Sequence, residues 1–124
     1  MSKKMVYLAA PYSVKHDDPA VVAQQIQERM ETLCRIDVTL MGRGVHTITP
    51  LLKHYTLPHS DGASDWAAFQ EYSYNLMDRC DALYVLMLEG WEASEGVSAE
   101  IKYAKELKMQ VVYLDDQGKA VRVE

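Results

Sequence analysis

The sequence predicts an α/β chain: a single-domain, three-layer α/β/α sandwich around a parallel sheet of four to five strands. Three observations carry that expectation. Short apolar runs alternate with longer stretches of helical periodicity. The apolar runs are nearly continuous, which is how strands buried on both faces read. The length, 124 residues, suits one domain, and no linker, repeat or low-complexity tract divides it.

Residues 5–10 (MVYLAA) read as a short buried strand that ends at Pro11-Tyr12-Ser13. Asp17-Asp18-Pro19 is a helix start, with an acidic cap followed by proline at the first helical position. Val22, Ile26, Met30, Leu33 and Ile36 continue at helical spacing to about residue 40, where Gly42 and Gly44 stop the helix. Residues 45–48 form a second short strand. Residues 50–62 are polar, with two prolines and two histidines, and read as a long loop.

Ser64 or Asp65 can cap a helix to about residue 80, with Trp66, Phe69, Leu76 and Met77 as its apolar face. Residues 82–88 are the clearest strand. A loop over 89–95 precedes a helix to about residue 108, in which Val97, Ile101, Ala104 and the stem of Lys108 make the inward stripe. Residues 110–114 are a strand, 115–118 a turn, and 120–123 a possible edge strand.

Right-handed crossovers restrict this order of elements to few topologies, and the flavodoxin-like order 2-1-3-4(-5) fits it. Ligands in such sheets sit beyond the carboxyl ends of the strands, where the order reverses. That point lies between the first and third strands, so residues 9–13 and 89–96 face each other there.

Composition narrows the partners. With 13 basic and 18 acidic residues the net charge is −5, and the basic residues are scattered. No footprint for a nucleic acid polymer or an anionic membrane is visible. The longest apolar run, residues 82–88, is far short of the ~20 residues a membrane helix needs. No signal-peptide pattern opens the chain, and Cys34 and Cys80 read as buried thiols in a reducing compartment, so a cytoplasmic location is expected.

At the switch point Ser94 is a natural helix cap and Gly96 leaves the backbone N–H groups open to a ligand, which together make either an ordinary capped helix or an anion site. Glu100 falls at the margin of the inward stripe. Helical side chains lean toward the N-terminus, so its carboxylate can project over Gly96 as a nucleophile or base, or else reach out to water. Tyr7 is expected in the core, its hydroxyl bonded to a carboxylate or to a backbone carbonyl. His46, His54 and His59 match no metal-ligand spacing, and no metal is expected. Dinucleotide, P-loop, α/β-hydrolase and thioredoxin motifs do not occur.

Two motifs, YLAAPYS over residues 7–13 and GWEASEGVSAE over residues 90–100, with the strand DALYVL before the second, resemble the nucleoside 2-deoxyribosyltransferase-like superfamily. The likeness runs from Met5 to Leu114 and is closest to a small bacterial and phage branch. The resemblance implies that Glu100 is the nucleophile and that Tyr7 contacts it. It implies that Ser94, where transferases of free nucleosides carry Asp, holds a substrate 5′-phosphate together with Gly96. It also implies that Ala10, Pro11, Tyr12 and Ser13 cover the sugar and phosphate, that no cofactor is needed, and that the protein is a homodimer.

One position departs from the pattern: Ser73 stands where many members have an Asp that holds the sugar or protonates the base, and Asp78 and Asp65 lie at other helical phases. The expected activity is hydrolysis of the N-glycosidic bond of a nucleoside or deoxynucleoside 5′-monophosphate. Base transfer and a non-catalytic nucleotide-sensing module are the alternatives.

Overall fold

The computed structural model describes residues 4–56 and 66–124. Its elements are β1 (Met5–Ala9), α1 (Pro19–Gly42), β2 (His46–Ile48), α2 (Pro50–Thr56), α3 (Trp66–Met77), β3 (Ala82–Leu86), a 3-10 turn (Trp91–Ala93), α4 (Glu95–Glu106), β4 (Gln110–Leu114) and β5 (Ala120–Val123). They build one sheet of order β2-β1-β3-β4-β5. The first four strands are parallel, and β5 returns antiparallel to β4 as the edge. This is the expected flavodoxin-like three-layer architecture.

The two-residue period of the strands sorts the core into two layers. Leu8, Leu86, Val112 and Leu114 pack with Met30, Leu33, Ile36 and Leu40 of α1. Tyr7, Ala9, Leu83, Val85, Val111 and Tyr113 pack on the other face with Met77 of α3 and with Val97 and Ala104 of α4. The helices divide this way because β1 crosses to β2 in one direction while the next two crossovers run in the other.

The start of α1 follows its sequence signal. Asp18 is the cap, its carboxylate accepts from the Ala20 N–H at 2.9 Å, and Pro19 opens the helix. Arginines of α1 then tie loops to the layer beneath: Arg35 donates to the Asp116 carbonyl and Arg43 to that of Gly118.

The structure corrects several expectations. Residues 50–56 are helical, not loop. Pro50 suits a first helical position, and Leu51 and Leu52 gain burial against the α1 layer. Trp66, at the outer end of the expected apolar face, is 52% exposed, and Cys34 is exposed rather than buried. Lys108 is outside the α4 stripe, since it takes a left-handed conformation (φ 57°) just past the helix end. β3 stops at Leu86, and the expected caps Ser64 and Asp65, with His59, lie outside the described residues. No helix among the described residues is long and apolar enough to cross a membrane.

Candidate functional site

The carboxyl ends of β1 and β3 lie side by side, and the loops that leave them diverge to opposite faces of the sheet. A cavity of about 590 Å³ opens between them. That volume lies within the range of small-molecule sites, ~300–1,000 Å³.

The start of α4 forms one wall. Ser94 has extended backbone (φ −72°, ψ 120°), and its Oγ accepts from the Val97 N–H at 3.2 Å. The cap uses the oxygen as acceptor, so the hydroxyl proton stays available to a ligand. The Ser98 N–H is taken by the Ser94 carbonyl at 3.0 Å. Those of Glu95 and Gly96 have no hydrogen bond among the described residues, and they sit at the positive end of the helix.

Gly96 lines the cavity, but the room left by its missing side chain is not open. A Cβ there would lie 3.1 Å from Cη2 of Trp66. Glycine is thus needed for close approach of the indole, which corrects the expectation of bare space above the backbone. Trp66 stacks on Phe69 with centroids 5.7 Å apart, and both rings border the cavity.

Glu100 lies on the cavity wall, turned inward from α4. No Lys or Arg among the described residues forms an ion pair with it. Burial pushes its carboxyl up to about 7, partly offset by the Tyr7 hydroxyl, which is within hydrogen-bonding reach. Tyr7, fully buried in β1, is held far above the usual phenol range, first by burial and then by the Glu100 charge. The tyrosine hydroxyl therefore faces the Glu100 carboxyl and the Ser73 hydroxyl, and Glu100, only partly buried, is turned to the cavity.

Ser73 of α3 completes this group. It is 2% exposed, lines the cavity and lies beside the Tyr7 hydroxyl, yet its Oγ has no hydrogen-bond partner among the described residues. A buried hydroxyl left unpaired costs ~1–3 kcal/mol, so the group is poised for a partner. Asp78 does not reach the cavity wall, and it accepts a hydrogen bond from the Tyr103 hydroxyl at 2.6 Å.

Of the loop after β1, Ala10, Tyr12 and Ser13 border the cavity. Pro11 does not: it is buried beneath the loop, and its place in the expected substrate-binding set is corrected. Arg29 and Lys15, which the sequence reading missed, also border the cavity. From α1, Arg29 donates to the Ser13 carbonyl at 2.8 Å and to the Glu89 carbonyl at 2.8 Å, joining the two switch-point loops. Burial lowers the pKa of its guanidinium, opposed by the Glu89 charge. A Cβ on Gly90 would approach Arg29 to 3.3 Å, and Gly90 itself has φ 84°. A lone arginine in the middle of a helix gives no sequence signal for this role.

The six-residue step from Ser94 to Glu100 spans ~9 Å of helix axis. One wall thus carries an anion-friendly helix start at one end and a deeply set carboxyl at the other. Among the described residues no group of three or more His, Cys, Asp or Glu side chains is arranged to hold a metal ion. No curated protein matches the chain. The sequence model of a domain of unknown function, DUF1937, matches residues 4–116, which include every residue bordering the cavity, and the chain belongs to that family.

Proposed function

We propose that the protein is an N-glycosidase that hydrolyses a nucleoside 5′-monophosphate, with Glu100 as nucleophile. The observation that carries this reading is the inward carboxyl of Glu100 beside Tyr7, on the wall of a cavity whose other end is the start of α4. The ionised carboxylate attacks C1′ through an oxocarbenium-like transition state, as in retaining glycosidases. The C1′–N bond breaks as the C1′–O bond forms, and the base leaves with the bonding electrons and takes up a proton. Water then cleaves the glycosyl ester, giving a sugar 5-phosphate and restoring Glu100. If a second base intercepts the ester, the same chemistry is base transfer.

Tyr7 steadies the carboxylate by donating to it. The Ser94 hydroxyl and the N–H groups of Glu95 and Gly96 would receive the phosphate, with the cations of Arg29 and Lys15 on the same cavity. Trp66, packed against Gly96, and Phe69 wall the cavity beside that phosphate position. No step calls for a metal or an organic cofactor. The reading includes a homodimer, which sedimentation of the purified protein tests.

Purified protein incubated with a panel of nucleoside monophosphates should release free base, seen by chromatography, and Glu100→Ala should not. Absence of release from every nucleotide, or equal release by the variant, removes the proposal. One observation favours a second reading, a nucleotide-binding module without turnover: among the described residues the cavity carries Ser73 and no further carboxylate beside Tyr7 to protonate a leaving base. A nucleotide-induced rise in melting temperature without base release would select it.

A further inference from the structure

We infer that Arg29 is a positioning residue: its forked guanidinium holds the loop after β1 and the loop after β3 at one separation, so that a ligand meets them as a preformed clamp. The inference deepens the proposed function and rests on it for the kinetic consequence alone. Because β1 and β2 are parallel, α1 between them runs antiparallel to both. Helical side chains lean toward the helix N-terminus, so Arg29 is carried toward the carboxyl ends of β1 and β3, where it borders the cavity.

Pairing between these two strands ends at Ala9 and Val85. Beyond that point one loop turns to α1 and the other to α4, on opposite faces of the sheet. Among the described residues no main-chain hydrogen bond joins the two loops. The guanidinium does: Nη1 donates to the Ser13 carbonyl and Nη2 to the Glu89 carbonyl, each at 2.8 Å. Hydrogen bonds from a charged donor are roughly twice as strong as neutral ones. A planar fork suits two carbonyls from separate segments, which the single nitrogen of a lysine does not match. Ser13 on one side of the tie and Gly90 and Ser94 on the other border the cavity. Glu100 and Tyr7 lie outside it, on α4 and β1. Loss of the tie therefore raises the cost of ordering the loops around a ligand and leaves the reacting carboxyl in place.

The test compares wild type, Arg29→Ala and Arg29→Lys in two assays. One follows base release from nucleoside monophosphates. The other follows amide hydrogen exchange in peptides covering the loops after β1 and β3. In both variants exchange in the two loops should quicken together by about tenfold, and KM should rise about tenfold while kcat changes far less. Millimolar guanidinium chloride, entering the space left in Arg29→Ala, should restore both readouts. Lysine keeps the charge without the fork, so it should fail as alanine does. It also keeps the stem along α1, so Arg29→Lys gives the answer if Arg29→Ala does not fold.

Full function in Arg29→Lys reduces Arg29 to a cation on the cavity wall and overturns the inference. So does a fall in kcat at unchanged KM, or exchange that quickens in one loop only or in neither. Exchange that quickens across the whole sheet marks a merely structural residue and overturns it too. No base released by the wild type, with paired loop exchange and its rescue as expected, sinks the glycosidase and leaves the tie standing. No release together with unchanged exchange overturns both.

Discussion

The two faces of the sheet are built from the same strands and differ in what they bury. Toward α1 the sheet offers Leu8, Leu86, Val112 and Leu114 to aliphatic partners, and the layer is a packed hydrocarbon. Toward α3 and α4 it offers Tyr7 and Tyr113, and the layer admits Ser73 and Glu100 at its upper edge. Tyr7 and Leu8 are neighbours in sequence and lie on opposite sides, because strand side chains alternate. One face contributes stability, and the other gives part of it up to keep polar groups dry beside a cavity.

Glu100→Gln probes that contrast most sharply. If the polar face performs the proposed chemistry, turnover should fall by ~10³-fold or more, as when a nucleophile is removed. Stability should move the other way. The folded carboxyl keeps its proton up to about pH 7, whereas the ordinary value is 4.5. Between those limits the folded chain binds more protons than the unfolded one, so stability falls as pH rises and levels off above 7. The glutamine variant should escape this loss. It should be more stable than wild type at pH 8 by up to ~3 kcal/mol and nearly equal at pH 4, in urea melts. A wild type with flat stability between pH 4 and 8 would place Glu100 in water.

Leu33→Ala is the matching change on the hydrocarbon face. Leu33 is completely buried in α1, so the cost should be ~2–5 kcal/mol by denaturant melts, with little effect on the site per folded molecule. A loss of ligand affinity in the folded fraction would show that the two layers are coupled.

Ser94→Asp separates the cap from the ligand site. Aspartate caps helices as well as serine does, so stability should change by no more than ~0.5 kcal/mol. Binding of a nucleoside monophosphate should weaken ~10-fold or more through charge repulsion, while the free nucleoside is spared. Equal effects on both ligands would move the phosphate elsewhere.

The smallest change is expected from Gly96→Ala. The contact it creates is with the outer edge of a half-exposed indole that can turn aside, so a loss of ~1 kcal/mol or less is expected in thermal melts. Altered fluorescence of Trp66 and Trp91 would report the displacement.

Strand order was legible because each strand is a compact apolar run, and because the crossovers of such a sheet leave little choice. Asp18-Pro19 and Ser94 were legible as caps since their side chains act on the adjacent backbone. Helical phase puts Glu100 at the margin of the inward stripe without deciding between the cavity and water, and the strand puts Tyr7 in the core without naming the partner of its hydroxyl. The rest depends on contacts distant in sequence. Nothing around Arg29 indicates that it spans to Ser13 and Glu89. Likewise nothing in the sequence shows that the Trp66 indole packs where Gly96 lacks a side chain. Residues 50–56 read as loop because they open a polar stretch with two prolines and two histidines, whereas burial of Leu51 and Leu52 on the α1 layer favours a helix. Pro11 looks like part of a binding loop in sequence, and only the lining of the cavity, which passes from Ala10 to Tyr12, leaves it out.

The interior position of β1 bears on how the chain comes to be made. It is synthesised before both of its partners, and one of them, β3, begins with a pairing whose anchor, Met5 N–H to the Asp81 carboxylate, closes a span of 76 residues. Until the ribosome has released that second partner, an apolar ribbon waits with a vacant edge, open to pairing with other nascent chains. Expression yield should therefore depend on elongation through the α3 coding region and on holdase chaperones, more than the modest size of the protein would lead one to expect.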